Sequence, residues 1–363
     1  MSETVVLETP AAGAPVQLRP LGIGQLLDQS LRIYRRNFVR FVGIVALVMI
    51  PTQLLNFFFS WLVSKDMLQS LSSSGSVRGG IFTPSYFIGL GGSFLLSFVA
   101  AILYQLAAAA LVPVVAGDHL GRPISWKEAY QGVARHALPL IITMLVGVVF
   151  YGGLILWGAI PCIGWFTGLG ALLVFGMVVW PLTTPIVILE HCNGLEAMLR
   201  AWGLGRQRFW STFGYALLLN LLAQIFVTVP VVLISFAFQY LAGGVIYQHP
   251  DLFIWQTVLQ SLVSTISAIL YYPLMWTAFT SLYFDLRVRL EGFDLAVMAQ
   301  QVPESLETMA QTMRPVNFQG KAGWITGDEI GAFVAISVGG VVLIILLYVA
   351  IFAVAFSSAM SSF

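Results

Sequence analysis

Charge is what this chain has least of. Only 9% of its 363 residues are Asp, Glu, Lys or Arg, while 58% are apolar. So few polar groups cannot cover a globular surface in water, which excludes an ordinary soluble domain. The net charge of +1 leaves no basic field for nucleic acid, and no nucleic-acid partner is expected. Cysteine is nearly missing too: Cys162 and Cys192 are expected on opposite faces of a membrane, which excludes a disulfide between them, and their spacing fits no metal motif. No GxSxG elbow, HExxH helix, Walker loop or GxGxxG stands anywhere in the chain, so no catalytic residue, cofactor or metal site is assigned. Of the four histidines, His119, His136 and His191 could meet on one face with Asp118 and Glu190. Solvated or helix-capping histidines are the expected case, rather than a metal site.

Long apolar runs, in contrast, are abundant. Spanning a bilayer takes about 20 apolar residues as helix, and runs suited to it fall at about 41 to 63, 86 to 116, 138 to 160, 163 to 190, 211 to 241, 255 to 286 and 332 to 356. Ten-residue alternating strands are absent, so helices must satisfy the backbone in lipid. No charged residue falls in the middle of a run, which disfavours a proton relay or ion path. The polar residues inside the runs, Gln53, Asn56, Gln105, Asn220, Gln224 and Gln239, are expected to bond helix to helix, with a lined pathway as the alternative. Pro113, Pro181, Pro185 and Pro273 predict kinks in the even-numbered spans, opening a cytoplasm-facing cavity between repeats. Pro230 predicts a kink in the fifth.

Of 17 Lys and Arg, all but Lys65 and Arg78 fall in the tail and loops of one face. The positive-inside rule then puts the N-terminus in the cytoplasm and, after seven spans, the C-terminus outside. The opening MSETVVLETPAAGAPVQ has neither the basic start nor the apolar run of a signal peptide, so the first span is expected to target the chain.

The six leading spans form three pairs, each introduced by an amphipathic segment. These begin at Gly22, Gly121 and Gly194, with Arg36, Arg135 and Arg208 each fourteen residues on. Pro, four residues, an acid and His repeat ahead of the second and third segments, at Asp118-His119 and Glu190-His191, and Asp285 closes the sixth span. In the first segment Ile23, Leu26, Leu27, Leu31 and Tyr34 recur at helical spacing opposite Asp28, Arg32, Arg35 and Arg36. Such a helix lies flat at headgroup level. Arg36, Arg135, Arg208, Asp118, Glu190 and Asp285 are therefore the candidates for lipid-headgroup or repeat contacts. The acids are expected to pair with Arg36, Arg135, Arg200 or Arg208 and lock repeat to repeat. In the last span Gly331, Ala335 and Gly339 form a small-residue helix-packing face, for this chain's own body or for a membrane protein partner.

The stretches RPLGIGQLLDQSLRIYRRNF, EAMLRAWGLGRQRFW and, above all, YFDLRVRLEGFDL from Tyr283 to Leu295 resemble the bacterial glycerophosphoryl diester phosphodiesterase membrane-domain family. The resemblance covers residues 19 to 298. It implies a membrane region that in some members precedes a phosphodiesterase barrel and in many stands alone. Here about 68 residues follow Leu295, whereas a barrel needs about 250, so a stand-alone member without that activity is expected.

The expected fold is all-α: a polytopic helical membrane protein of three repeats, each an interfacial helix plus two transmembrane helices, then a seventh transmembrane helix. Residues 1–20 are expected as a disordered cytoplasmic tail and 21–291 as the six-transmembrane core. Residues 292–331 are expected as a cytoplasmic linker with short helices near Phe293 to Gln301 and Glu304 to Met313. Residues 332–363 are expected as the seventh helix with a short outer tail. The expected setting is a bacterial inner membrane, with membrane lipids, anionic headgroups among them, as partners. The expected role is a non-catalytic accessory or scaffold that organises lipid or a neighbouring membrane complex. A transporter or flippase for a lipid-like or small amphiphilic substrate is the alternative.

Overall fold

Three short helices bend, each through a single residue, into a membrane-length helix, and that junction sets the architecture. The computed structural model describes residues 20–74, 83–119, 124–160, 163–242, 250–295 and 326–360. Helix α1 (Ile23–Arg36) leads into α2 (Phe38–Ser74) and then α3 (Pro84–His119). The second unit is α4 (Trp126–Arg135), α5 (Ala137–Gly158), α6 (Ile163–Val174) and α7 (Trp180–Glu190). The third is α8 (Gly194–Gln207), α9 (Phe209–Ala223), α10 (Val229–Ala242) and α11 (Pro250–Glu291), after which comes α12 (Gly327–Met360). No strand occurs among the described residues. The N-terminal tail, Gly121, Cys162, His249 and residues 296–325 of the linker lie outside them.

Six stretches are long and apolar enough to cross a membrane: Phe38–Lys65, Pro84–His119, Ala137–Gly158, Ile163–Glu190, Phe209–Leu241 and Trp255–Glu291. They coincide with six of the expected spans, and the chain is an all-α polytopic membrane protein. The seventh expected span lies inside α12, whose 34 residues reach about 51 Å at the helical rise.

Each short helix starts the same way. Gln25 Oε1 accepts from the Gly22 amide at 3.2 Å, Glu128 from Ser125 at 3.1 Å and Glu196 from Asn193 at 3.4 Å. In every case the third helical side chain reaches back to the cap and satisfies an orphan N–H. Each short helix also ends the same way, on one residue with bridge-region dihedrals: Asn37 (φ −111, ψ 19), His136 (φ −107, ψ 10) and Arg208 (φ −125, ψ 45). The third elbow is thus Arg208 itself, whereas Arg36 and Arg135 are the last helical residues before theirs.

The amphipathic helices pack into the body. Leu26 and Ile33 of α1, Ala129 and Val133 of α4, and Ala197, Ala201 and Leu204 of α8 are buried in the common core. Helix α1 packs on α11, α4 on α3, and α8 on α7 and α5. The even spans α3, α7 and α11 pack on one another at the centre. Their approach is close because Ala107 to Ala110, all buried, put four small side chains in succession on α3.

Burial is unequal along the spans. Over its most apolar stretch the fourth span is 72% buried and the fifth 6%, so the fourth is core there while the fifth is exposed, its buried residues Tyr215, Ala216 and Leu219 lying nearer the basic end. Buried positions crowd the end bearing the basic segments, at 105–117, 181–190 and 277–284. Toward the opposite face, residues such as Leu54, Phe94, Leu95, Phe226 and Leu233 are exposed. This corrects the expected cavity on the basic side: between the even spans that end is filled with side chains, and the space enclosed by the core spans lies beyond it.

The prolines lie within continuous helix or just after a wider turn. Helix continues without interruption through Pro113, Pro185 and Pro273. The ladder instead widens to π-helix at Phe175–Val179 and Gln224–Thr228, each ending two residues before a proline, Pro181 or Pro230. A wider turn gives the proline ring room against the carbonyl four residues back. Close helix contact explains the Gly-rich stretch near Gly89: a Cβ on Gly92 would lie 2.2 Å from the Phe59 ring.

Candidate functional site

At the first elbow the backbone turn from α1 into α2 gathers Arg35, Arg36 and Arg40 around Asn37, with Asp118 of α3 opposite. These line a cleft of about 390 Å³. Asn37 Nδ2 donates to Asp118 Oδ1 at 3.1 Å, and Arg36 Nε lies 3.7 Å from the same oxygen while its side chain stays 75% exposed. One carboxylate, already hydrogen-bonded, faces three guanidiniums. The cleft is therefore electropositive and suits the oxygens of a phosphate or carboxylate.

Beneath the face lies a buried ionic plug. Glu190, at the end of α7, accepts from Arg200 Nε of α8 at 3.0 Å and from the Tyr283 hydroxyl of α11 at 2.8 Å, and lies 3.6 Å from Arg287 Nη1. Glu291 bonds both cations, Arg200 directly and Arg287 Nε at 2.7 Å. The guanidinium of Arg287 also sits over the Phe293 ring, 4.8 Å from its centroid. Two cations balance two anions, and the Glu190 side chain is fully buried. Burial works against the charge on Arg200, but Glu190 and Glu291 outweigh it and hold its pKa above the ordinary arginine value.

A second lock closes the chain's start onto its last core span. Asp285 Oδ1 accepts from the Leu21 amide at 2.8 Å, while Arg289 bonds Asp285 Oδ2 at 2.8 Å and donates to the Leu21 carbonyl at 2.5 Å. Both backbone groups of Leu21 are thereby held by one i,i+4 pair. Tyrosines add two similar ties. Tyr34 of α1 donates to the Leu270 carbonyl at 2.8 Å and Tyr130 of α4 to the Ile44 carbonyl at 3.0 Å.

The six candidate charges thus separate into different roles. Asp118 meets Arg36, Glu190 meets Arg200, and Asp285 meets Arg289 on its own helix. Arg135 ends α4 at the surface. Arg208 occupies the elbow and has no side-chain partner among the described residues. The histidines separate as well. His119 lies between Gln29 and Ser281, at 3.3 and 3.2 Å, while His136 and His191 pair with each other. Among the described residues no three His, Cys, Asp or Glu side chains are grouped to hold a metal ion. Cys192 is half-buried, and burial together with Glu190 and Glu196 raises its thiol pKa, against the opposing pull of Arg200.

Gly331, Ala335 and Gly339 face away from the body: all three are exposed. Contact uses the other side of α12. The Gly170 amide of α6 donates to Ser337 Oγ at 2.6 Å, and a Cβ at Gly170 would stand 2.1 Å from the Phe333 carbonyl oxygen. At the basic end Arg206 Nε of α8 meets Glu329 Oε1 of α12 at 2.8 Å, with both side chains buried.

Beyond the plug is an intramembrane cavity of about 480 Å³. All six core spans line it, through Met49, Gln105, Met144, Trp180, Val227 and Tyr272 among others. Gln105 closes its floor by donating to Thr184 Oγ1 of α7 at 2.6 Å. Of the six polar residues singled out within the spans, Gln53 and Gln105 line this space. Asn220 and Gln224 bond within their own span.

Comparison with family models, curated proteins and solved structures finds no match. The sequence alone points to Glu190 with Arg200, but not to Tyr283, Arg287 and Glu291, nor to Arg206 with Glu329. The signal for the first set was present: Tyr283, Arg287 and Glu291 stand four apart, as do Asp285 and Arg289, which puts two polar ladders on opposite faces of one helix.

Proposed function

We propose that this chain is a non-catalytic integral membrane protein that binds and organises anionic lipid at its basic face, as an accessory or scaffold to a neighbouring membrane complex. The observation that carries this reading is the first-elbow cleft, where Arg35, Arg36 and Arg40 surround one hydrogen-bonded carboxylate. Each cation near an anionic leaflet contributes about 1 kcal/mol, so three in one cleft suffice for selective retention of anionic headgroups. The ring of contacts, with each short helix packed on an earlier span and α1 closing onto α11, supports reading the core as a threefold repeat. The excess of basic residues on that face supports placing it in the cytoplasm of a bacterial cell, with the inner membrane as the setting. The family resemblance is compatible with such a stand-alone membrane region and adds no activity to it.

The test is lipid retention. In detergent, native mass spectrometry of the parent chain should show bound phosphatidylglycerol or cardiolipin that is lost at high salt. Replacing Arg35, Arg36 and Arg40 together by Gln should abolish it while neutral phospholipid adducts persist. Equal retention of anionic lipid by the triple variant would refute the reading.

A carrier for an amphiphile is favoured by one observation, the cavity lined by all six core spans. The filled basic end stands against free passage through that side.

A further inference from the structure

We infer that the intramembrane cavity is a binding site for an amphiphile with an uncharged, hydrogen-bonding head, such as a long-chain alcohol or amide. This site is separate from the anionic cleft on the basic face. At about 480 Å³ the cavity falls in the range of small-molecule sites, roughly 300–1,000 Å³. Its described wall is mostly apolar and holds no charged side chain. A phosphate or carboxylate buried there would lack a cation, which low-dielectric surroundings penalise heavily.

Neutral polar groups are present, and they are underused. Gln53 and Tyr272 line the cavity with no hydrogen-bond partner among the described residues. Gln105, 8% exposed, has one end of its amide bonded to Thr184 and the other without a protein partner. In hydrocarbon an amide or hydroxyl left unpaired is costly, so these groups have use for a ligand that brings its own donors and acceptors.

Their depth agrees. Counting from Phe38, His119 and Asp285 along their helices, Gln53, Gln105 and Tyr272 all lie about 20 Å from the basic end at the helical rise. That is the bilayer interior, beyond the reach of a phospholipid headgroup held in either interface. The layer accepts an apolar chain whose small neutral head is drawn in with it.

The experiment uses the full chain in phosphatidylcholine nanodiscs and a hexadecanol bearing a photoreactive group near the hydroxyl. Cross-links should map to peptides containing Gln53, Gln105 and Tyr272. Unlabelled hexadecanol should compete, and hexadecyl phosphate at equal concentration should not. Gln53→Leu, which removes no protein hydrogen bond, should weaken labelling about tenfold, as loss of one buried hydrogen bond predicts. Tyr272→Phe tests the second group in the same way, with a similar loss expected. Cross-links confined to lipid-facing positions such as Leu233 and Phe236, equal competition by hexadecyl phosphate, or full labelling of both variants would each overturn the assignment. The Arg35, Arg36 and Arg40 triple variant should label normally, so failure of the anionic cleft and failure of this site can be told apart.

Discussion

Replacing Glu190 by Gln isolates one charge at the centre of the plug. The amide keeps a carbonyl that can accept from Tyr283, so the hydrogen bond at 2.8 Å can survive and shape changes little. Charge does not survive: Arg200 and Arg287 are left facing Glu291 alone. Both are largely buried, at 11% and 3% side-chain exposure, so water cannot screen the surplus cation. Breaking such a pair by removing one partner costs about 3–5 kcal/mol, a large share of the 5–15 kcal/mol typical of whole proteins. Unfolding in mixed detergent and SDS, followed by circular dichroism, should show that loss. Adding Arg287→Met to the same chain restores the charge count, and the double variant should be more stable than the summed single effects by more than about 1 kcal/mol. If Glu190→Gln stays within about 0.5 kcal/mol of the parent, as ordinary surface changes do, the plug is not a source of cohesion.

Three further outcomes are expected. Gly170→Leu should detach α12, seen as faster proteolysis at its base, whereas Gly339→Leu on the exposed face should leave both proteolysis and stability unchanged; the reverse pattern would show that α12 docks by its small-residue face. In a cysteine-free background, single cysteines at Gln131 and Leu195 should label from the same side of the membrane and one at Asp251 from the other, and a common side for all three would break the spanning order. Cys192 in the folded native chain should alkylate slowly with maleimide at pH 7, because burial and two nearby carboxylates raise its pKa; raising the pH should speed the reaction, and a rate equal to that of the SDS-unfolded chain would show the thiol to be unperturbed.

The spans were legible because apolar length is a one-dimensional property. The run at 163 to 190 appears in sequence as in space, and so do the short helices, since polar and apolar residues recur at helical spacing ahead of each junction and give way to a uniformly apolar run after it. What was not legible were choices made between helices. The acids near the basic face were recognisable, and the four-residue spacing of Asp285 and Arg289 marks that pair, but nothing in the sequence says that Asp118 meets Arg36 across two helices. The fourteen-residue register from Gly to Arg misleads by one position in the third segment, where the cap is Asn193 and the elbow is Arg208. The second helix is one turn shorter, starting after Ser125, and a fixed offset cannot express this. For α12, the small residues at every fourth position drew attention to the exposed side. Phe333 and Ser337, neither conspicuous in sequence, carry the contact with Gly170.

The uneven distribution of the core follows from what holds helices together in lipid. Apolar side chains gain little by leaving acyl chains for one another, so cohesion comes from close packing and from polar contacts that lipid cannot replace. This chain concentrates both at one end: Ala107 to Ala110 let the even spans approach, and Glu190, Arg200, Tyr283, Arg287 and Glu291 bond three helices at the interface. With the bundle fixed there, the far halves can part at small cost, because lipid tails solvate exposed residues such as Phe94, Phe226 and Leu233 as well as a neighbouring helix would. A cavity at that depth would be a destabilising void in a water-soluble core. In a bilayer it has contents available on every side, and the few polar groups in its wall decide which of them it holds.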